Sequence, residues 1–406
     1  MKQISTRANL CFALPLLTAI ACDVDGHYAG VDAGAGADAD VDAAAQHLGN
    51  DPATLVLGQP NFESAEPNAG GVSQRSLRFP YGIAADGASL WVGDAGNARV
   101  LRWQDPQTSF APAAQVLGRS SFEDASDFTG ATAANLWGAA ETAGVAVSGS
   151  KLLVADTSCH RVLVWNPLPT TNGQAASFVL GQLSPTSCSQ PPAASGAGRL
   201  RFPYGIWTDG TRLAVADRGN HRVLLWKTFP TTNGQPADLV LGQPDFAQAE
   251  SVSPPTAASM KAPTAVYSDG ARFYVADTYN HRVLIWSSFP TMNGQPADLV
   301  LGQPSFSGSA PGSSKSELSG PRGMIHAGTK LYVADTDNHR VVIFDPLPTT
   351  SGASAIGLFG QADFGTGGLP PAPTQASMKW PAALAIFGSS LYVTDNYEHR
   401  VLRFGL

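Results

Sequence analysis

Apolar and polar residues alternate in blocks along this chain, with short apolar runs separated by polar turns. Residues 273–286, FYVADTYNHRVLIW, contain two such runs on either side of a polar segment. In the second run, Val283 and Ile285 point to one side of a strand, and Leu284 and Trp286 point to the other. A strand with one wet face would instead alternate with polar residues. The pattern therefore predicts strands that are covered on both faces.

This segment occurs six times, and the copies of its aspartate lie 58 to 62 residues apart. Two further elements recur with the same period, as in VLGQ (56–59) and PYGI (80–83). Each repeat thus contains four predicted strands: A follows the proline, B and C flank the polar turn, and D contains VLGQ. The shared aspartates are Asp94, Asp156, Asp217, Asp277, Asp335 and Asp395, and the shared arginines are Arg99, Arg161, Arg222, Arg282, Arg340 and Arg400.

The connections between these strands are short enough for antiparallel neighbours. Six four-stranded sheets that need cover on both faces predict an all-β, six-bladed β-propeller. The chain ends on a strand C at 400–404, and a lone strand D at 55–59 precedes the first complete repeat. We therefore expect the N-terminal strand to pair into the last blade and close the ring, which removes open sheet edges.

The N-terminus predicts export. Lys2 and Arg7 precede an apolar segment, residues 10–20, that is too short to span a bilayer. Ala19 and Ala21 form a small-residue cleavage pattern directly before Cys22. This arrangement resembles a bacterial lipoprotein signal, in which Cys22 would become the lipidated first residue, although Ala19 stands where leucine is usual. Ordinary signal-peptidase cleavage, giving a secreted soluble protein, is the alternative.

Residues 22–52 are rich in Asp, Ala and Gly, a composition typical of a flexible tether. The predicted domain organisation is therefore a signal peptide at 1–21, a tether at 22–52 and the propeller at 53–406. Cys11 would leave with the signal peptide, so Cys159 and Cys188 remain in the propeller. Both fall in loops on one face of the second blade, and in an oxidising compartment we expect a disulfide between them. Two unrelated small residues are the alternative.

The repeated segment, Pro-x-Gly-Ile followed by Tyr-Val-Ala-Asp-Thr-x-Asn-His-Arg-Val, resembles the NHL-repeat family over all six repeats. The chain departs from that motif at Ala98, Cys159 and Glu398. The resemblance implies a six-bladed propeller, in agreement with the repeat count. The family includes interaction domains, RNA-binding domains, receptor-kinase sensor domains and a zinc-dependent peptide-amidating lyase, so the fold does not choose among functions.

The resemblance to the lyase can be tested position by position. Its zinc-binding histidines directly follow the strand A proline, and none of the corresponding residues here is histidine, whereas a catalytic zinc needs about three converging ligands. We therefore predict no metal or other cofactor and assign no catalytic residue. A propeller enzyme (metal-dependent lyase, lactonase or hydrolase) with its site in the axial channel remains the alternative. The corresponding residues are Tyr81, Tyr204, Thr264, Arg322 and Ala382.

The net charge of −7 and the lack of a basic run argue against nucleic-acid binding, which needs clustered Lys and Arg. The repeated Asp, His and Arg residues are interpreted as structural, because a residue copied in every repeat is placed by blade geometry.

Residues that do not repeat are the better candidates for function. The D–A loops are long, and Tyr81, Trp137, Tyr204 and Arg322 lie near the start of strand A, where they should approach the axis. Aromatic rings with one arginine suit a peptide, a glycan or a small polar ligand; loop packing without a ligand is the alternative. We predict a monomeric, non-enzymatic binding or scaffold module at the bacterial cell envelope. Its partner would be a protein, peptide or glycan, and its membrane contact would be through the lipid anchor only.

Overall fold

The computed structural model describes residues 51–126, 130–137, 142–191 and 196–406. The predicted signal peptide, Cys22 and nearly all of the predicted tether lie outside the described residues. Within the described ranges, no helix has the length and apolar character needed to cross a membrane.

Within these described ranges, twenty-four strands form six four-stranded antiparallel sheets, which confirms the predicted all-β, six-bladed propeller. Blade 1 contains β2 (Pro80–Ala85), β3 (Ser89–Asp94), β4 (Arg99–Gln104) and β5 (Gln115–Leu117). Blade 2 contains β6 (Thr142–Ser148), β7 (Lys151–Asp156), β8 (Arg161–Trp165) and β9 (Phe178–Leu180). Blade 3 contains β10 (Pro203–Thr208), β11 (Leu213–Asp217), β12 (Arg222–Trp226) and β13 (Leu239–Leu241). Blade 4 contains β14 (Ala265–Ser268), β15 (Phe273–Asp277), β16 (Arg282–Trp286) and β17 (Leu299–Leu301). Blade 5 contains β18 (Pro321–Ala327), β19 (Lys330–Asp335), β20 (Arg340–Phe344) and β21 (Gly357–Phe359). Blade 6 contains β22 (Pro381–Phe387), β23 (Ser390–Asp395), β24 (Arg400–Gly405) and β1 (Leu55–Leu57).

The ring closes as the sequence predicts, because β1 is the outer strand of blade 6. Leu55, Val56 and Leu57 pair with Arg403, Leu402 and Val401 of β24. The observed strand is two residues shorter than predicted, since Gly58 adopts a φ of +88° and turns the chain away from the sheet. Strands B and C are buried along nearly their whole length, and apolar clusters between neighbouring blades form the core.

Each polar turn between strands B and C contains one turn of 3₁₀ helix and a buried ion pair. In blade 4, Asp277 Oδ2 accepts a hydrogen bond from Arg282 Nε at 2.7 Å, and Oδ1 accepts one from the Lys261 backbone N–H at 2.6 Å. The guanidinium also donates to the carbonyls of Thr256 and Ser259, both in the D–A loop. The arginine therefore ties the D–A loop to the turn, and the same ion pair occurs in all six blades.

The motif histidines connect neighbouring blades. His281 Nδ1 accepts a hydrogen bond from the Gly320 backbone N–H of the next blade, and the five such bonds measure 3.0–3.3 Å. Because Nδ1 accepts, the imidazole is neutral with its proton on Nε2. Burial lowers the pKa of His160, His339 and His399 to about 4, which favours the neutral form.

Two departures from the repeat fall at one blade boundary. Ala98 of blade 1 stands where the other blades have histidine, and the repeat that follows it lacks the strand A proline. In the other blades the histidine bonds the residue directly before that proline. The histidine and the proline are thus both missing from the sequence at this one boundary.

Candidate functional site

The six A strands surround an axial channel with a cavity of about 260 Å³ and a largely apolar lining. The strands approach one another closely at a glycine layer near one end. A Cβ added to Gly144, Gly205 or Gly323 would lie 2.1–2.6 Å from backbone atoms of the next blade. Glycine at this layer allows the A strands to pack around a narrow axis.

In the five blades that have the strand A proline, the next residue is large in blades 1, 3 and 5 and small in blades 4 and 6. Large side chains come from blades 1, 3 and 5, and we call Tyr81, Tyr204 and Arg322 the axial plug. Arg322 Nη1 donates a hydrogen bond to the Tyr81 hydroxyl at 3.2 Å, and the rings of Tyr81 and Tyr204 meet edge to face at 5.4 Å. Since these residues belong to alternate blades, their contacts span the axis at this end of the channel.

Two stacks of cations and rings extend from the plug toward solvent. In the first, the Arg218 guanidinium lies 4.9 Å from the Tyr204 ring and 5.6 Å from the Tyr279 ring, and Nη2 donates to the Tyr279 hydroxyl at 3.1 Å. In the second, the Arg322 guanidinium lies 5.2 Å from the Trp380 ring, which contacts the Tyr397 ring at 4.9 Å. Tyr279 and Tyr397 end the stacks and are 37% and 43% exposed.

Arg322 is a charged group held in a confined position. Burial alone would lower the pKa of its guanidinium, but Tyr81, Asp337 and Tyr204 together raise it above its usual range. The buried Nε has no hydrogen-bond partner among the described residues. Burial raises the pKa of the Asp337 carboxyl while Arg322 lowers it. Arg322 thus keeps its full charge and retains hydrogen-bonding capacity that the described residues do not use.

Cations gather around the plug although the whole chain carries a net charge of −7. Four blades have a basic residue two positions before the strand A proline. Burial lowers the pKa values of the motif histidines between the blades, and the charges of these basic residues lower them further. Against these cations stand the carboxyls of Asp337 and Glu398 in B–C turns and of Glu250 in a D–A loop, whose charge acts on His221. The centre of this face is therefore positive. The cations are Arg78, Arg201, Arg218, Lys261, Arg322 and Lys379.

The predicted face residues do not all occupy equivalent places. Tyr81, Tyr204 and Arg322 meet in the plug. The Trp137 backbone N–H donates to Asp156 Oδ1 at 3.0 Å, as the Arg78 backbone N–H does to Asp94, so Trp137 is the blade 2 equivalent of Arg78. Four further residues of this face were not predicted from the sequence: Arg218, Tyr279, Trp380 and Tyr397. The sequence does contain a signal for them, because each departs from the repeat at a position within a B–C turn or directly before a proline.

The predicted disulfide is confirmed between Cys159 and Cys188, which are 29 residues apart. Cys159 is fully buried in the B–C turn of blade 2 and takes the place of the motif asparagine. In blades 3 and 4 that asparagine donates to the motif aspartate. In blade 2 the covalent link to the D–A loop stands in its place. Among the described residues, no group of three or more His, Cys, Asp or Glu side chains is arranged to hold a metal ion.

No family model and no curated protein matches this chain. Among solved structures, it is similar to a protein of unknown function from Bacteroides thetaiotaomicron, with 15% identity over 86% of this chain and 75% of that one, at a TM-score of 0.51. This similarity bears on the fold alone.

Two more distant similarities are to the computationally designed protein Ika8 and to BamB from Moraxella catarrhalis. Ika8 is 10% identical over 88% of this chain and 100% of its own, at a TM-score of 0.42. BamB is 13% identical over 87% of this chain and 99% of its own, at a TM-score of 0.40. Both are too distant to bear on function, so the NHL-repeat resemblance rests on the repeated motif.

Proposed function

We propose that this chain is an exported, lipid-anchored propeller that binds a partner at the bacterial cell envelope without catalysing a reaction. Binding would use the face that carries the axial plug. The observation that carries this proposal is the convergence of non-repeating rings and cations on that one place. Repeated residues maintain the blades, so residues that depart from the repeat are the ones free to serve function.

The contacts made by the polar motif residues favour binding over catalysis. Five motif histidines are held by hydrogen bonds to backbone N–H groups of the next blade. All six motif aspartates are buried against arginine. These groups are therefore engaged in contacts that hold the blades together. Metal analysis of the purified protein tests the enzyme alternative: stoichiometric zinc or calcium would favour it.

Export and anchoring are proposed from the N-terminal sequence, with Cys22 as the lipidated residue. The disulfide supports export, because such bonds persist in oxidising compartments. Metabolic labelling with an alkyne fatty acid tests the anchor. We expect the wild-type chain to be labelled and to sediment with membranes, and Cys22→Ser to be unlabelled and soluble. Equal labelling of both chains would refute lipidation at Cys22.

Crosslinking in intact cells of the source bacterium tests the binding face. The test variant combines Tyr279→Ala and Tyr397→Ala, two exposed rings that end the stacks. The matched control is Lys330→Gln, at the start of β19 on the opposite face. We expect the double variant to lose the crosslinked partners and the control to keep them. If the double variant keeps every partner, this face is not the binding site.

A further inference from the structure

We propose that the ligand of this face is a short oligosaccharide that ends in a uronic acid, with its carboxylate on Arg322 and its sugar rings on the exposed tyrosines. This inference rests on the proposed function and assigns a chemical class to the ligand. A peptide with acidic side chains is the competing class, and the experiment below distinguishes the two.

The guanidinium of Arg322 provides the carboxylate site. Its Nη1 is engaged by the Tyr81 hydroxyl and its plane is stacked near Trp380, so its orientation is fixed. Nε is buried and has no hydrogen-bond partner among the described residues, so it would pair with a carboxylate only when the plug side chains move apart to admit one. A carboxylate matches the planar donor fork of arginine and forms short charge-assisted hydrogen bonds with it. Asp337 balances part of this charge, and the surrounding cations keep the mouth positive.

The two stacks provide faces for sugar rings. A pyranose presents C–H groups on its flat face, and these pack against the negative face of an aromatic ring. Arg218 braces Tyr279 through a hydrogen bond and a stacking contact, and Trp380 braces Tyr397. Because these rings are already held, binding costs little additional side-chain entropy. Two ring platforms beside one arginine suit a chain of a few sugars.

The shape of this face disfavours an apolar peptide. Peptide hot spots are side chains buried in well-packed pockets. Here the apolar channel lies behind the plug, and Tyr279 and Tyr397 are the exposed rings that end the stacks. The exposed hydrophobic residues Leu183, Val252 and Leu369 lie in D–A loops and belong to neither stack. The centre of the face thus offers ring faces and cations rather than an apolar pocket.

Isothermal titration calorimetry on the purified propeller tests the proposal with four probes. Aldotriouronic acid and digalacturonate carry the uronic acid, xylotriose is the neutral sugar control, and a triglutamate peptide represents the acidic peptide. We expect both uronic probes to bind at least about tenfold more tightly than xylotriose and triglutamate. Binding should weaken with added salt, since the contact is charged.

Variants locate the binding. Arg322→Gln should weaken the uronic probes about tenfold, and Arg322→Lys should recover only part of this loss because lysine lacks the planar fork. Tyr397→Ala, at an exposed ring, should weaken them about fivefold with an unchanged melting temperature. Lys330→Gln should bind as the wild type does. Melting curves of the Arg322 variants show whether they are folded, and the exposed Tyr397 variant keeps the test decisive if they are not.

Three results would overturn the inference: neither uronic probe binds, xylotriose binds equally well, or Tyr397→Ala leaves binding unchanged. Triglutamate binding in the absence of uronic acid binding would identify an acidic peptide as the ligand. In that case the sugar assignment fails while the proposed function stands. The crosslinking experiment tests the binding face itself and does not depend on the nature of the probe.

Discussion

Replacing His399 by Asn tests how much stability the protein loses in acid because this histidine takes up a proton. Asparagine can keep the hydrogen bond at the boundary where the ring closes, but it does not titrate. His399 Nδ1 accepts from the Phe79 backbone N–H at 3.1 Å, which joins blade 6 to blade 1. Asparagine places Oδ1 near the position of Nδ1 and so retains an acceptor. It also tolerates the positive φ of 53° at this residue. The substitution therefore removes a titrating group and leaves the contact.

The size of the pH-dependent change in the unfolding free energy follows from the pKa of His399. Burial and the charges of Arg78 and Lys379 lower this pKa from 6.5 to about 4. The unfolded chain binds a proton as the pH falls below about 6.5, whereas the folded chain resists until about pH 4. The stability from this residue is thus complete above pH 6.5 and is lost as the pH falls to 4. Full linkage corresponds to about 3 kcal/mol, and solvent screening of these surface charges reduces our expectation to about 1–2 kcal/mol.

Urea unfolding followed by tryptophan fluorescence at pH 7.0 and pH 4.5 provides the assay. At pH 7.0 we expect His399→Asn to lie within about 1 kcal/mol of the wild type. Between the two pH values, the wild type should lose about 1–2 kcal/mol more than the variant. The buried carboxyls titrate in both proteins, so the difference isolates His399.

Equal loss of stability in the wild type and His399→Asn would refute this account. It would mean that His399 is not held in the neutral form by the fold. A large loss for His399→Asn at pH 7.0 would instead show that Oδ1 does not replace Nδ1 as the acceptor. The two outcomes separate the electrostatic part of the reasoning from the geometric part.

Three further predictions concern closure, the disulfide and the motif ion pair. Deleting residues 53–60 should lower the melting temperature by about 10 °C or more, because it removes three buried aliphatic side chains worth about 1.5–3 kcal/mol each; an unchanged melting curve would contradict closure by β1. Replacing Cys159 and Cys188 by Ser should lower the unfolding free energy by about 2–4 kcal/mol in urea titrations, and equal stability of oxidised and reduced wild type would contradict this. Asp277→Asn should cost about 3–5 kcal/mol because it leaves a buried arginine without its counter-charge, whereas Arg212→Gln, in a partly exposed pair, should cost less than about 1 kcal/mol.

The number of blades, the strand order and the ring closure were predictable from the sequence. These features depend on local patterns: runs such as 283–286 that are apolar on both faces, and a period of about 60 residues that sets one blade. The disulfide was also predictable, because Cys159 replaces a repeated asparagine and one other cysteine falls in a loop on the same face. Each inference needed only residues within one repeat, or the comparison of equivalent positions.

The contacts between repeats depended on the tertiary structure. The bond from His281 to the next blade has a backbone N–H as its partner, and a backbone group leaves no mark in the sequence. The plug brings together Tyr81, Tyr204 and Arg322, which are more than a hundred residues apart and come from alternate blades. Which side chains meet across the axis follows from the radius of the closed ring and the packing at its glycine layer. The sequence determined the blade, and the closed ring determined which non-repeating residues of different blades form a site.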